Sequence, residues 1–204
     1  MVVVDPKITA RSSRLLIRPL VMEDAADIVL MRSHPEVMKH TPLVPSNDIE
    51  KSKAWIQGCH DRDNCWNFCI ELLPSETEAH SPGPQVIGMI GAVRAPEVGY
   101  MLNHNYWGKG YATEALQAFM PLFFEHYSGG VHERFEYAEA HTDPELVASQ
   151  NVLQKVGFKL FEVREKDFEN PILGLRDSWI YRMARPDKCA NTNDVNGNTT
   201  PAGL

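Results

Sequence analysis

The chain has 204 residues, 43% of them hydrophobic and 23% charged, with a formal net charge of −7. That length suits one domain with a sizeable core. The acidic balance, without any basic block, excludes the cationic stripe of a nucleic-acid binder, and no run reaches the ~20 apolar residues of a membrane span. An acidic surface fits a cationic or amine-bearing partner as well as it fits plain solubility. The opening MVVVDPKITARSSR is too weakly apolar for a signal peptide. Four cysteines suit a reducing compartment, so a cytoplasmic protein is expected.

In chain order, an extension of residues 1–13 leads to RLLIRPL (14–20), which reads as a first strand halted at Pro19. In MEDAADIVLMRS, Ala25, Ile28, Val29 and Met31 follow helical spacing. A second helix covers about residues 47–61, with Ser46 or Asn47 as its N-cap. NCWNFCIELL (64–73) has the bulky composition of a strand. The PSETEAHSPGPQ that follows is loop chemistry, a long hairpin connection. VIGMIGAVR (86–94) resumes the strand, and its Gly88 and Gly91 imply a close approach to the backbone. EVGYMLNH (97–104) is the next strand.

Residues 111–127 form a helix with Ala115, Leu116, Phe119 and Phe123 on one face, and with Pro121 inside, where it should bend or locally unbond the helix. FEYAEAH (135–141) is a strand. The helix of DPELVASQNVLQKVG starts at Asp143 as N-cap, has Pro144 at the first helical position, and stops at Gly157. FKLFEVRE and SWIYRMAR are two final strands, which carry the domain to residue 185. The tail 186–204, polar with repeated Asn and Thr, reads as disordered. Strand, two helices, three strands, helix, strand, helix, two strands is a mixed α/β order.

CHDRDNCWNFC brings Cys59, Cys65, Cys69 and His60 into one short span. A zinc site is one reading, but the spacing lacks a Cys-x-x-Cys knuckle. The other reading puts Cys69 in a strand core and Cys59 at a helix end as a small apolar residue. No metal is expected.

The stretch with the most chemistry is NHNYWGKGYATEAL (103–116). A strand ends there and a helix begins, with Gly108 and Gly110 flanking Lys109. The first turn of a helix carries backbone N–H groups without internal partners, and the helix dipole makes them an anion site. Glycine lets a phosphate approach that backbone closely, and Lys109 adds a cation. A Walker loop is absent, and Thr113 stands where a dinucleotide loop has its third glycine. A plain strand-to-helix turn is the structural alternative.

EVGYMLNHNYWGKGYATEAL resembles the coenzyme A-binding motif of the GNAT N-acetyltransferases, Gln/Arg-x-x-Gly-x-Gly/Ala. The opening RLLIRPLVMEDA, the strand VIGMIGAV and the late ASQNVLQKVGF add to the resemblance, which spans about residues 14–184 and is closest to the branch that acetylates ribosomal-protein N-termini. It implies a central, mostly antiparallel sheet of about seven strands, splayed in the middle and flanked by about four helices. It implies acetyl-CoA as acyl donor and a primary amine as acceptor: a protein N-terminus, a polyamine, an amino acid or another small amine. A monomer or a homodimer is compatible with it.

By the same resemblance, the backbone of Met101, Leu102 and Asn103 holds the pantetheine arm as if it were an added strand, and the amides of Gly108, Lys109, Gly110, Tyr111 and Ala112 hold the diphosphate. Asn105 stands where the family has Gln or Arg. Leu146 replaces a family Asn, and Leu153 replaces the Tyr that often protonates the leaving thiolate. Ser149 keeps its place, as a coenzyme contact and candidate acid; a small residue packed in a helix is the alternative.

Acetyl transfer also needs a base, and an N–H such as that of Met101 or a neighbour for the oxyanion. Glu97, opening the strand beside the thioester, is the first candidate base and Glu139 the second; each can equally be a salt-bridged strand residue. Glu114 suits a structural role at the helix start. His104 and His141 are further polar candidates, and Tyr106 and Trp107 are placed to pack or to cover the coenzyme. A domain that binds acyl-CoA without turnover, as a sensor, is the rival reading that Leu146 and Leu153 keep open.

Overall fold

The computed structural model describes residues 5–74 and 85–186. The expected long hairpin loop and polar tail fall largely outside them. Eight strands form one sheet in the order β1-β2-β3-β4-β5-β6-β8-β7. They are β1 (Ala10–Arg11), β2 (Leu15–Pro19), β3 (Trp66–Leu72), β4 (Val86–Arg94), β5 (Glu97–Leu102), β6 (Tyr137–Thr142), β7 (Lys159–Asn170) and β8 (Gly174–Ala184). The helices are α1 (Ala25–Arg32), α2 (Pro35–Met38), α3 (Ile49–His60), α4 (Tyr111–His126) and α5 (Val147–Val156). The short β1 and α2 lack a full period of hydrophobic alternation, so the sequence pattern does not reveal them.

All neighbouring strands pair antiparallel except β5 and β6, which run parallel and share one register pair, Glu97↔Glu139. Beyond that pair β5 and β6 diverge, and the sheet opens into a wedge. Side-chain alternation gives each face of the sheet its own core. Val98 and Leu102 join the cluster with Leu116, Phe119 and Leu153 from α4 and α5. Met89 and Met101 join the one with Ile28 and Ile56 from α1 and α3. The wedge therefore passes from the α4/α5 side of the sheet to the α1/α3 side.

Two helix starts differ from expectation. Asp48, not Ser46 or Asn47, caps α3, its Oδ1 accepting from Glu50 N (2.9 Å) and Lys51 N (3.3 Å). Asp143 does not cap α5: Arg176 donates to both of its oxygens (2.8 and 3.0 Å), Glu145 N donates to Oδ1, and the helix starts four residues later behind Leu146. A long-range cation outcompetes the local cap, a partner no local pattern reveals. Gly157 does end α5, in the left-handed conformation at φ 108°. Pro121 lies on the exposed side of α4, and the helix continues through it.

Asp24 ties the start of α1 to the sheet. It accepts from Arg18 (2.7 and 2.9 Å), from Val21 N and from the Cys69 thiol. Burial works against its charge, but these donors hold its carboxyl below the ordinary range.

His126, on α4, is stacked between Trp66 (3.8 Å) and His132 (3.9 Å). Burial, helped by His132, lowers its pKa to about 4. The unfolded chain then takes up a proton more readily than the folded one. Stability from this group is full above its unfolded pKa near 6.5 and is lost as pH falls toward 4. A His126→Gln variant should show a flatter fall in Tm across that window, measured by thermal denaturation at closely spaced pH values; equal slopes would remove His126 as the cause.

Candidate active site

The site lies where the wedge meets the N-terminus of α4. Gly108 and Gly110 adopt φ of 73° and 83°, and Gly110 is the N-cap of α4 in the left-handed conformation. The first amide of this helix to find a backbone acceptor is Glu114 N, on the Gly110 carbonyl (3.1 Å). Among the described residues, the amides of Gly108 through Thr113 have no partner. They form a cluster of donors at the positive end of a helix of 16 residues.

Lys109 is exposed at this mouth, its ammonium 5.2 Å from the Tyr106 ring centroid. A second cation, not singled out from the sequence, is Arg14. It donates to the Lys109 carbonyl (3.2 Å), stacks over Tyr111 (4.4 Å) and pairs with Glu114 (2.6 Å). Glu114 also accepts from Ser12 Oγ (2.6 Å), Ser13 Oγ and Arg14 N. Its structural role is thus to tie the N-terminal edge of the sheet to the loop. Burial works against its charge, yet these bonds keep its carboxyl below the ordinary value.

The phase of β5 decides which amides enter the wedge. Asn103 N donates to Ile87 O on β4 (2.9 Å). In an antiparallel ladder alternate residues address the same neighbour, so Asn103, Met101 and Gly99 face β4. Val98, Tyr100 and Leu102 address the open side. Two bonds on that side agree: Glu139 N donates to Pro96 O (2.9 Å), and Trp107 Nε1 donates to Leu102 O (2.9 Å). Of the three residues expected to present backbone to the pantetheine, only Leu102 turns its amide into the wedge; Met101 and Asn103 spend theirs on β4. Trp107 fastens the loop to β5.

On the α4/α5 side, Tyr100 from β5 meets Ser149 from α5. Its hydroxyl lies 2.8 Å from Ser149 Oγ and 3.2 Å from the Ser149 carbonyl. Burial raises the Tyr100 pKa to about 12, so it stays a neutral donor. Tyr100 was not singled out from sequence, since only the splay brings it to a residue 49 positions away. Leu153 is buried in the core behind this pair.

On the α1/α3 side, Glu97 and Glu139 sit in register. Glu97 Oε2 accepts from Arg94 Nε (2.9 Å) and Nη2 (2.7 Å), and among the described residues Oε1 has no donor. Glu139 is more committed: Arg182 Nε (2.7 Å) holds one oxygen and His141 Nε2 (2.8 Å) the other. Partial burial works against its charge, but His141 and Arg182 keep its carboxyl below the ordinary range, which leaves it a weak base. His104 lies elsewhere, stacked on His34 (4.3 Å) and near Trp107.

Cys69 is a core residue of β3, and Cys59 packs at the end of α3. Among the described residues, no group of three or more His, Cys, Asp or Glu side chains is placed to hold a metal ion. No helix there is long and apolar enough to cross a membrane.

A splayed sheet, free amides at a helix mouth beside the splay, and paired hydroxyls and carboxylates on its two sides define an acyltransferase type of site. The chain belongs to the GNAT acetyltransferases: the model of the acetyltransferase (GNAT) domain matches residues 14–159. It is 27% identical over 180 residues to an N-acetyltransferase of Bacillus licheniformis called p20, itself uncharacterized, covering 87% of this chain and 96% of that one. A ribosomal-protein-S5-alanine acetyltransferase from Vibrio fischeri has the same fold at 18% identity, with TM-score 0.70 over 89% of this chain and 98% of that one. So does RimJ from Mycobacterium smegmatis, solved in complex with CoA-disulfide, at 21% identity and TM-score 0.66 over 83% of this chain and 81% of that one.

Proposed function

We propose that this chain transfers the acetyl group of acetyl-CoA directly to a primary amine, on a protein N-terminus, a polyamine, an amino acid or another small amine. The observation that carries this reading is the wedge itself, with anion-binding amides at one end, a hydroxyl pair on one side and carboxylates on the other. Amides from Gly108 to Ala112, with Lys109 and Arg14 beside them, hold the diphosphate. The free edge of β5 at Tyr100 and Leu102 takes the pantetheine in the manner of an added strand. The RimJ relative, crystallised with CoA-disulfide, supports the choice of coenzyme.

An amine arriving from the α1/α3 side meets Glu97, which accepts its proton directly or through water. A wedge-facing amide of β5 stabilises the oxyanion. Ser149, backed by Tyr100, returns a proton to the leaving thiolate on the far side. Glu139 orients His141 and Arg182 rather than acting as base.

The test is release of free thiol from acetyl-CoA against a panel of amines. Amine-dependent release is expected; a non-catalytic sensor shows thermal stabilisation by acetyl-CoA and no release with any amine. Glu97→Gln should then lower kcat roughly 100-fold near neutral pH, and the defect should shrink as pH rises and the free amine becomes abundant. An unchanged pH profile eliminates Glu97 as base.

A further inference from the structure

The cysteines of CHDRDNCWNFC play no part in acetyl transfer, yet two of them are built into a polar cluster of their own. Cys59 ends α3 and Cys65 precedes β3, and both are buried, at 3% and 2% exposure. Arg62, in the connection between them and itself exposed, places Nη2 3.4 Å from Cys65 Sγ and 3.9 Å from Cys59 Sγ. Asn67 Nδ2 donates to Cys65 Sγ at 2.8 Å. Both sulfurs lie within reach of the same guanidinium nitrogen. The Cys65 sulfur thus collects two donors, one of them cationic, and Cys59, which shares that cation, is the thiol placed to react with it.

A pit reaches this pair from the surface. It is lined by Cys59, Cys65, His60, Trp66 and Asn67 among others. It has room for about one water-sized molecule.

We propose that Cys59 and Cys65 form a peroxide-sensitive thiol pair, an oxidative modification site that closes to a disulfide. Hydrogen peroxide is the smallest oxidant of its class, and so the one for which the lining of so small a pit must give least. The Cys65 thiolate attacks one peroxide oxygen, the O–O bond breaks, and hydroxide leaves, giving Cys65 sulfenic acid. The Cys59 sulfur then attacks the Cys65 sulfur; the S–O bond breaks, and the hydroxyl departs as water with the Cys59 proton. In sum, two thiols and one peroxide give one disulfide and two waters.

The neighbouring Cys59 thiol, with Arg62 and Asn67, draws the Cys65 pKa below the usual thiol range against the opposing effect of burial, while Cys65 and burial push the Cys59 pKa up and hold that thiol protonated. Cys69 is the internal contrast. It is fully buried and donates to the carboxylate of Asp24 (3.0 Å), so burial and that anion push its pKa up. It should stay reduced.

The experiment exposes the full chain to hydrogen peroxide, alkylates remaining thiols under denaturing conditions, and maps peptides by mass spectrometry. Trypsin cuts after Arg62, so a disulfide joins two otherwise separate peptides. The expected result is a Cys59–Cys65 cross-link, a loss of two hydrogens, reversal by dithiothreitol, and full alkylation of Cys69. In Cys59→Ser, Cys65 should stall as a sulfenic acid trapped by dimedone. Full alkylation of Cys59 and Cys65 after peroxide, or a cross-link that forms only through other cysteines, overturns the proposal. So does the absence of dimedone labelling in a Cys59→Ser variant with wild-type Tm.

Discussion

Replacing Gly110 with valine is expected to weaken coenzyme A binding on the order of 100-fold while leaving the sheet folded. Gly110 sits at φ 83°, a conformation that a β-branched residue adopts only under strain. Space is not the obstacle, since an added Cβ meets only the end of the Arg14 side chain, at 3.6 Å. The cost lies in backbone geometry. An L-residue there costs about 1–2 kcal/mol in the left-handed region, and relieving that strain turns the amides of Gly108 to Ala112 away from their common focus. Each lost charge-assisted bond costs about 1.5–3 kcal/mol. The helix beyond is unaffected, because Tyr111 onward is anchored by the apolar face of α4. Titration calorimetry with coenzyme A, and circular dichroism as a check on folding, decide the matter. A folded variant with wild-type affinity removes the loop from the site.

Gly91→Ala should be the most damaging small substitution in the sheet, lowering stability by more than about 3 kcal/mol. A Cβ at Gly91 would stand 2.4 Å from the Trp66 carbonyl oxygen and 2.6 Å from Asn67 Cα. These are backbone atoms of β3, paired in register with β4 at Asn67↔Gly91, so relief requires separating two central strands. Trp66 would move with them, and with it the stack on His126 that joins β3 to α4. Gly58→Ala should have the opposite sign. Gly58 lies inside α3 with nothing within 4 Å of its added Cβ, so alanine should stabilise by about 0.5–1 kcal/mol through helix propensity. Denaturant midpoints of the two variants test both at once; a Gly91→Ala protein as stable as the parent would mean that β3 and β4 are not packed as described.

The close approach that Gly88 and Gly91 imply was legible in the sequence; what approaches was not. Gly91 meets β3 at Trp66 and Asn67, and Gly88 meets β5 at Met101 and Leu102. The same limit applies to Asp143. Its neighbours make it a good cap for a following helix, and Arg176, 33 residues on, takes it instead. Glu97 and Glu139 read correctly as strand carboxylates, but only the ion pairs separate them: Arg182 and His141 occupy both oxygens of Glu139, and Arg94 occupies one of Glu97.

What the amino-acid order determined by itself is local. Apart from β1 and α2, the strands and helices follow from hydrophobic period, Gly157 ends its helix, and Gly108-Lys109-Gly110 opens α4, because each depends on residues within a turn or two of one another. Tertiary structure alone decided the phase of β5, hence that Tyr100 and Leu102 rather than Met101 address the wedge. It also brought Arg14 to Glu114 across 100 residues, Tyr100 to Ser149 across 49, and Cys59 and Cys65 around one arginine. Those meetings are set by sheet register and by where two parallel strands part. Register is a property of the whole assembled sheet: a slip of one residue exchanges the faces of a strand without changing its composition.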